Sequence, residues 1–208
     1  TADSPPSRGD TPGRFIWMKP FLPIAASDAL AASPGGVGVS VRPARPDRPD
    51  VVAMLAQLDD YLASLFPPSA NHILDVQALL APEVCFLVAE EAASGQLVGC
   101  GAYRRMPGEP ETANAAYGEV KRMMVAPAAR GRGVGRLLLT ALEHRMQADG
   151  LGLALLETGD LQHEAVRMYE RAGYVRRGPF GGYPDNGLSL FFAKALSEPG
   201  PVNAAPSP

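Results

Sequence analysis

The sequence predicts one α/β domain of the α+β type, in which helices pack against a central mixed sheet. Three observations carry this prediction: short apolar runs typical of strands, apolar residues at helical spacing between them, and turn residues at the junctions. Ser94-Gly95, for example, separates two apolar runs and predicts a hairpin. The predicted strands span 38–42, 84–90, 97–104, 116–125, 151–158, 174–177 and 188–194, and the predicted helices span 49–65, 71–80, 133–148 and 163–171.

The helices have recognisable faces and ends. One apolar stripe of the first helix is formed by Val52, Leu55, Leu58 and Leu62. Pro67-Pro68 stops that helix, because proline cannot continue the helical hydrogen bonds. Asn71 is expected to cap the short second helix, and Gly173 to supply the left-handed residue that ends the last one.

Two strands also have clear signals. The run from Leu151 to Leu156 is apolar throughout, which is typical of a parallel strand buried on both faces. Pro127 follows the strand at 116–125 and marks its end, because proline cannot donate to a strand ladder.

Composition and charge limit the function classes. The chain has 208 residues, of which 46% are hydrophobic and 20% charged, as is ordinary for a globular protein. A net charge of -3 gives no argument for binding nucleic acid or an anionic membrane. No apolar run approaches the ~20 residues that a membrane-spanning helix needs. We therefore expect a cytoplasmic protein that binds neither.

The two ends differ in composition from the rest of the chain. Residues 1–36 are rich in proline, serine, alanine and glycine, and Lys19 with nearby prolines interrupts their apolar stretch. This favours a disordered leader or an appended extension over an export signal. Residues 197–208 are expected to form a disordered tail. The folded domain is thus predicted at 37–196.

Cysteine and histidine usage gives no sign of a metal site. The two cysteines, Cys85 and Cys100, fall on neighbouring predicted strands. Buried thiols in a reducing cytosol are favoured, and a cross-strand disulfide is the alternative. The three histidines, His72, His144 and His163, are scattered, so no metal is expected.

The most informative motif is Arg130-Gly131-Arg132-Gly133-Val134-Gly135-Arg136, which joins a predicted strand to a predicted helix. Glycines let the backbone approach a ligand, and the free N–H groups at a helix start favour an anion. Interleaved arginines add guanidinium donors. The motif predicts a site for a phosphate-bearing ligand, with a solvated basic turn as the alternative.

The spacing of the motif distinguishes among phosphate sites. A Walker loop requires Gly-Lys-Ser/Thr, whereas Gly135 is followed by Arg136, and the dinucleotide spacing G-x-G-x-x-G is also not met. The pattern Arg/Gln-x-x-Gly-x-Gly/Ala is met, and it resembles the coenzyme A loop of the GNAT superfamily of N-acetyltransferases. A second motif, residues 165–174, resembles the family's helix that carries a tyrosine and ends at Gly-Phe/Tyr. Over residues 38–196 the chain resembles a bacterial small-molecule-type GNAT member.

The resemblance implies a fold, a cofactor and its contacts. The sheet should be mostly antiparallel, splayed between its fourth and fifth strands around acetyl-CoA, and flanked by about four helices. The implied cofactor-binding residues are Met123, Met124, Val125, Arg130, Gly131, Arg132, Gly133, Val134, Gly135, Arg136, Gln162 and Tyr169. The implied reaction moves the acetyl group from acetyl-CoA to a primary amine by direct attack in a ternary complex.

Proton transfer needs further groups. A lysine-like amine has a pKa of ~10.4, so a base is expected to remove its proton. Glu119 matches the position of the catalytic glutamate in several family members, and an ion pair with Lys121 or Arg122 is the alternative. Glu157, at the end of the fifth strand, is the second candidate base, and a strand-end carboxylate bound to an adjacent backbone N–H is the favoured alternative. Tyr169 matches the family's general acid toward the leaving thiolate, with a packed aromatic as the alternative.

The acceptor is less defined by the sequence. Segments that bind the acceptor in the family offer Asn71, His72, Arg104, Arg122, Glu157 and Tyr183. Arginines at 104, 105 and 122 could hold a carboxylate, favouring a small acidic metabolite or an amino acid, unless they are solvated edge charges. The segments 67–72, 157–159 and 178–183 resemble a bacterial subgroup described as indole-acetic-acid-linked acetyltransferases.

Three functions stay open. A small-molecule N-acetyltransferase is favoured over a protein lysine or N-terminal acetyltransferase and over a non-catalytic acyl-CoA sensor. The acyl chain length is undetermined, and a homodimer is one option for the oligomeric state.

Overall fold

Within residues 38–68 and 72–196, which the computed structural model describes, strands and helices follow one another in the predicted order. The predicted leader 1–36, the tail 197–208 and Asn71 lie outside the described residues. The strands are β1 (Val39–Pro43), β2 (Val84–Glu91), β3 (Leu97–Met106), β4 (Tyr117–Val125), β5 (Leu153–Gly159), β6 (Val175–Arg177) and β7 (Ser189–Ala195). The helices are α1 (Pro49–Leu65), α2 (Val76–Leu79), α3 (Val134–Ala148) and α4 (His163–Arg171).

The strands form one sheet in the order β1-β2-β3-β4-β5-β7-β6. Neighbouring strands are antiparallel except β4 and β5, which are parallel. Their pairing covers only Gly118–Val120 against Ala154–Leu156, although both strands continue beyond it. The predicted mixed, mostly antiparallel sheet with a splay between its fourth and fifth strands is therefore confirmed.

Helices cover the sheet on both faces. Along β2, Phe86 and Val88 join the core beneath α1 and α2, whereas Cys85, Leu87 and Ala89 join the core beneath α3 and α4. Because both faces are covered, a central strand is apolar at successive positions instead of alternating with polar ones.

The same alternation separates the two cysteines. Cys85 belongs to the core on the α3 face and Cys100 to the core on the α1 face, and both thiols are free. The expectation of two buried thiols is confirmed, and the alternative of a cross-strand disulfide is wrong. Burial raises the pKa of the Cys85 thiol to about 11 and that of Cys100 to about 12.

Two details of the helices differ from the prediction. In α1, Val52 is 39% exposed and Val51 is buried in its place. At 3.6 residues per turn Val51 falls between Leu55 and Leu58 on the helix surface, whereas Val52 lies about 60° beyond Leu55. The second helix begins at Val76, because the Asp75 carboxylate caps it by accepting from Ala78 N at 2.8 Å. The predicted start at residue 71 is therefore wrong.

Candidate active site

A cleft of about 630 Å³ opens where β4 and β5 diverge. Its walls come from β4, the turn before α3, the end of β5, α4 and the end of α1. A volume of this order is ordinary for a pocket that holds a small-molecule ligand. Beyond Val120, β4 still pairs with β3 but has no partner on the β5 side, so the backbone on that side faces the cleft together with side chains.

The turn before α3 presents backbone donors. Gly131 and Gly133 have φ values of 74° and 80°, a conformation that favours glycine. No described residue accepts a hydrogen bond from the N–H groups of residues 131–136, and Leu137 N donates to Gly133 O at 3.0 Å. These donors lie at the positive end of the α3 dipole, an arrangement that favours an anion.

The third glycine of the motif serves packing. A Cβ added at Gly135 would lie 2.8 Å from Met168 Sδ on α4. Gly135 therefore lets α3 and α4 approach closely on one side of the cleft. This contact gives a physical reason for a small residue at the last position of the motif.

The three arginines of the turn are not equivalent. Arg130 and Arg136 are exposed and line the cleft. Arg132 does not line it, because its Nη1 donates to Glu91 Oε1 of β2 at 2.7 Å. Only the backbone of Arg132 is thus placed to contact a ligand in the turn.

Two further arginines line the cleft from α4. Arg167 and Arg171 are exposed and lie one helical turn apart. The sequence analysis missed them, although their i, i+4 spacing around Tyr169 would have been a usable signal. Together with Arg130 and Arg136 they make this end of the cleft strongly basic.

Tyr169 reaches the cleft from the last turn of α4. The residue is only 6% exposed, yet it lines the cavity. Burial, and then the nearby Glu157 carboxylate, raise the pKa of its phenol. The hydroxyl therefore stays protonated at neutral pH and can donate a proton.

Gln162 precedes α4 and also lines the cleft. Its Oε1 accepts hydrogen bonds from Thr158 Oγ1 and from Gly159 N, both at 3.0 Å. The side chain thus fastens the end of β5 to the start of α4. Its amide nitrogen is the group that remains for a ligand.

The two candidate carboxylates lie in different environments. Glu119 is 1% exposed; its Oε2 accepts from Arg104 Nη2 at 3.0 Å and its Oε1 from the Tyr183 hydroxyl at 2.5 Å. Lys121 Nζ lies 3.4 Å from the same Oε1. Glu119 is therefore ion-paired with Lys121, as the alternative stated, and with Arg104, but not with Arg122. It does not line the cleft.

Glu157 faces the cleft directly. It is half-buried at the end of β5, and no described residue forms a hydrogen bond or an ion pair with its carboxylate. Its charge contributes to the raised pKa values of both Tyr169 and Tyr183. Glu157 is thus a carboxylate without a partner among the described residues, close enough to both phenols to affect their pKa values.

The comparisons with known proteins agree with this geometry. The Acetyltransferase (GNAT) family profile matches residues 52–174. The chain belongs to this family. It is 45% identical to an IAA acetyltransferase of Azospirillum brasilense over 70% of this chain and 90% of that one. This GNAT protein is therefore an acetyl-CoA-dependent acyltransferase, as predicted.

Solved structures agree on the fold. A Klebsiella pneumoniae protein assigned as an acyl-CoA N-acyltransferase is 31% identical, with a TM-score of 0.62 over 76% of this chain and 98% of that one. The YncA acetyltransferase of Salmonella typhimurium, solved with its cofactor acetyl-CoA, is 20% identical, with a TM-score of 0.56 over 81% of this chain and 98% of that one.

The fourth strand of this GNAT domain contains a β-bulge that the sequence analysis missed. Cys100 of β3 opposes Met124, but Ala102 opposes Lys121, so β4 has one residue more than β3 over this span. Arg122, in the bulge, has a φ of 58°, which is uncommon for a residue other than glycine. The bulge lies at the point where β4 lines the cleft.

The bulge directs Arg122 toward α1. Its Nη1 donates to the Asp59 carboxylate, and its Nη2 donates to Leu55 O at 3.3 Å. Although the residue lines the cleft, its guanidinium is thus engaged by the protein. A contact of Arg122 with the acceptor stays a prediction.

Two of the predicted acceptor residues, His72 and Tyr183, lie in contact at the other end of the GNAT cleft. The rings of His72 and Tyr183 meet edge to face with centroids 4.8 Å apart, and Lys121 Nζ donates to His72 O at 3.0 Å and to the Tyr183 hydroxyl at 2.7 Å. Arg105 lies outside this group and donates to Asp149 O at 2.9 Å. Apolar walls at this end are formed by Leu58, Tyr61, Leu62, Phe66 and Ile73.

Residues 38–68 and 72–196 form the two described segments of the chain. These segments contain no group of three or more histidine, cysteine or acidic residues arranged to hold a metal ion. Nor does either segment contain a helix with the length and apolarity needed to span a bilayer.

Proposed function

We propose that this GNAT enzyme transfers the acetyl group of acetyl-CoA to a primary amine of a small molecule, by direct attack in a ternary complex. One observation carries the proposal: a single cleft contains three kinds of group. These are a carboxylate without a protein partner, Glu157, a protonated phenol, Tyr169, and an anion-binding turn. These are the groups that amine acylation requires: a base, an acid and a holder for the cofactor.

The residues present fit coenzyme A. The free N–H groups of residues 131–136 and the side chains of Arg130, Arg136, Arg167 and Arg171 would hold its phosphate groups. The unpaired edge of β4 from Met123 to Val125 would supply backbone hydrogen bonds to the extended arm. When bound, acetyl-CoA supplies the acetyl group as an activated thioester, whose C–S bond breaks as the N–C bond forms.

Glu157 and Tyr169 would handle the protons. Glu157 removes the proton from the attacking ammonium, because its carboxylate lines the cleft without a protein partner. Tyr169 donates its phenolic proton to the departing sulfur, since burial keeps the hydroxyl protonated. The nitrogen loses two protons as the ammonium becomes an amide, and in this proposal Glu157 takes both in turn. The first is released to solvent, and the second restores the phenol of Tyr169 after it has protonated the sulfur, so that one proton is released overall.

Glu119 would act indirectly, through the residues that it binds. Both of its oxygens are engaged, and the Tyr183 hydroxyl stands between the carboxylate and the acceptor end of the cleft. In this proposal Glu119 positions Lys121 and Tyr183. The prediction that it is the general base remains the competing assignment, acting through the Tyr183 hydroxyl.

A small acceptor fits this cleft better than a peptide. Tyr61, Phe66 and Ile73 wall one side of its acceptor end, and His72 closes it toward Tyr183. The 45% identical relative is named for a small molecule, IAA, which supports the same class of acceptor.

An amine panel tests the proposal. Purified protein is incubated with acetyl-CoA and small primary amines, and free thiol and the acetylated product are both quantified. We expect amine-dependent thiol release matched mole for mole by N-acetyl product. Binding of acetyl-CoA without turnover would support the sensor instead, and turnover with lysine peptides alone would support a protein acetyltransferase.

A further inference from the structure

A second, smaller hollow of about 250 Å³ adjoins the acceptor end of the cleft. His72 and Lys121 line both spaces, so the two adjoin at these side chains. The remaining lining residues of the hollow are Leu74, Arg104, Gly181, Gly182 and Tyr183.

The side chains that line the hollow include two cations, Arg104 and Lys121, and no carboxylate. Two carboxylates lie behind this lining: Glu119 pairs with both cations, and Glu109 Oε1 accepts from Gly181 N at 2.8 Å. The side chain of Arg104 is 33% exposed and that of Glu119 only 1%, so the cation faces the hollow and the carboxylate lies beneath it. An anion entering the hollow would therefore meet the guanidinium first.

Two buried side-chain nitrogens beside the hollow also lack partners among the described residues. Arg104 uses Nη2 on Glu119, whereas its Nε has no hydrogen-bond partner among the described residues. His72 Nε2 is likewise without a partner in that part of the chain. An N–H of a guanidinium without an acceptor favours a carboxylate, because hydrogen bonds between two charged groups are the stronger ones.

We infer that this hollow binds a carboxylate of the acceptor, so that the substrate class is an amine that also carries a carboxylate. The inference rests on the proposed function, because it assumes that the amine of the same molecule lies at Glu157. Arg104 is then a specificity-determining residue. The sequence analysis expected a carboxylate at Arg104, Arg105 and Arg122, but the other two are bound to Asp149 O and to Asp59.

The test compares amines that differ only in the carboxylate. Three pairs are assayed with acetyl-CoA: 4-(aminomethyl)benzoate with benzylamine, 5-aminopentanoate with pentylamine, and phenylalanine with phenethylamine. We expect kcat/KM for the carboxylated member of at least one pair to exceed that of its partner by about 10- to 100-fold, the range that a charge-assisted hydrogen bond supplies. No preference in any pair would overturn the inference while leaving amine acetylation intact.

Variants of two adjacent arginines locate the effect. Arg104→Gln should lower kcat/KM for the carboxylated member of a pair far more than for its partner, so that the preference disappears, and Arg104→Lys should retain part of the preference because the charge remains. Arg105→Gln is the matched control, because that side chain lies outside both spaces. An equal loss for both members of a pair in Arg104→Gln and Arg104→Lys would show a structural role and overturn the inference.

A binding experiment tests the carboxylate site without requiring turnover. Sodium benzoate and acetate, compared with benzamide and acetamide, are titrated against the wild type and Arg104→Gln, with thermal unfolding as the readout. Stabilisation by the carboxylates alone, lost in Arg104→Gln, supports the carboxylate site even if every amine fails and the proposed function falls. Such binding without any preference for carboxylated amines would assign the hollow to a free anion and overturn its role in acceptor recognition.

Discussion

The ring of Phe66 lies against the backbone of Gly159. A Cβ added at Gly159 would be 2.1 Å from Cζ of that ring and 2.5 Å from Cε2. Phe66 directly follows α1, which packs on the β3 and β4 side of the sheet, and Gly159 ends β5. The contact therefore bridges the two strands that diverge, and both residues line the cleft. Only glycine leaves room for the ring.

Replacing Gly159 by alanine should displace the ring of Phe66 from its place in the cleft wall. Because the methyl group and the ring cannot occupy the same space, Phe66 must move within the acceptor end of the cleft. We expect kcat/KM for the amine to fall about 10-fold or more, since small displacements of positioning groups have effects of this size. Steady-state kinetics and acetyl-CoA titration measure the two ligands separately, and the affinity for acetyl-CoA should change little.

Gly152→Ala is the control for this substitution, because a Cβ there meets nothing within 4 Å. A second variant, Phe66→Leu combined with Gly159→Ala, should recover part of the lost activity by removing the clash. If Gly159→Ala behaves like Gly152→Ala, the ring does not define the acceptor end.

The arginines of the turn should differ in how much they contribute to acetyl-CoA binding. Arg136→Gln removes a cation that lines the cleft, and we expect the dissociation constant for acetyl-CoA to rise about 5- to 10-fold, or roughly 1 kcal/mol. Arg132→Gln should change it by less than about twofold, because that guanidinium is paired with Glu91. Calorimetric titration measures both. Equal effects of the two substitutions would mean that Arg132 leaves Glu91 when the cofactor binds.

The base assignment is decided by comparing two substitutions. Glu157→Gln should lower kcat about 100-fold or more near pH 7, since general bases contribute at least this much. The remaining activity should rise with pH toward the amine's own pKa of ~10.4, because the variant relies on amine that is already neutral. Rates are measured from pH 6 to pH 10 with one amine.

Glu119→Gln should have a smaller effect on kcat and should retain the pH dependence of the wild type. It is the matched comparison, because it makes the same chemical change on the neighbouring strand. A larger loss and the altered pH profile in Glu119→Gln would instead assign the base to Glu119, acting through the Tyr183 hydroxyl.

Tyr169→Phe removes only the proposed acid. We expect kcat to fall about 100-fold with little change in acetyl-CoA affinity, because the aromatic ring and its packing remain. Tyr174→Phe is the control: its ring packs against that of Tyr169 with centroids 5.8 Å apart, but it does not line the cleft. Thiol-release kinetics compare the two. Unchanged kcat in Tyr169→Phe would exclude the phenol as the proton donor.

The features that the sequence predicted depend on residues close together in the chain, whereas those it missed depend on residues far apart. The glycine turn and the tyrosine of α4 were predicted because each depends on residues close together in sequence, and the structure places both in one cleft. The contact of Phe66 with Gly159 and the pairing of Arg132 with Glu91 join residues far apart, and no local pattern marks them. The bulge at Arg122 was missed for the same reason, because neither glycine nor proline occurs there.

The buried thiols should make stability depend on pH above neutrality. Burial raises the pKa of Cys85 from 9.0 to about 11 and that of Cys100 from 9.0 to about 12, whereas the unfolded chain ionises near 9.0. Below pH 9 the thiols are protonated in both the folded and the unfolded state, so their contribution to the free energy of unfolding is fully present. As the pH rises toward 11 the unfolded state alone loses protons, so the free energy of unfolding falls.

The size and sign of this effect can be measured with one variant. Between pH 8 and pH 10 each thiol should lower the free energy of unfolding by roughly 1 kcal/mol, since one pKa unit corresponds to about 1.36 kcal/mol. Cys85→Ala combined with Cys100→Ala removes both thiols, so its unfolding free energy should fall less over this interval, although it starts lower because core volume is lost. Urea denaturation at the two pH values gives both slopes. Because buried tyrosines are common to both proteins, equal slopes would show that the thiols do not ionise differently in the folded and unfolded states.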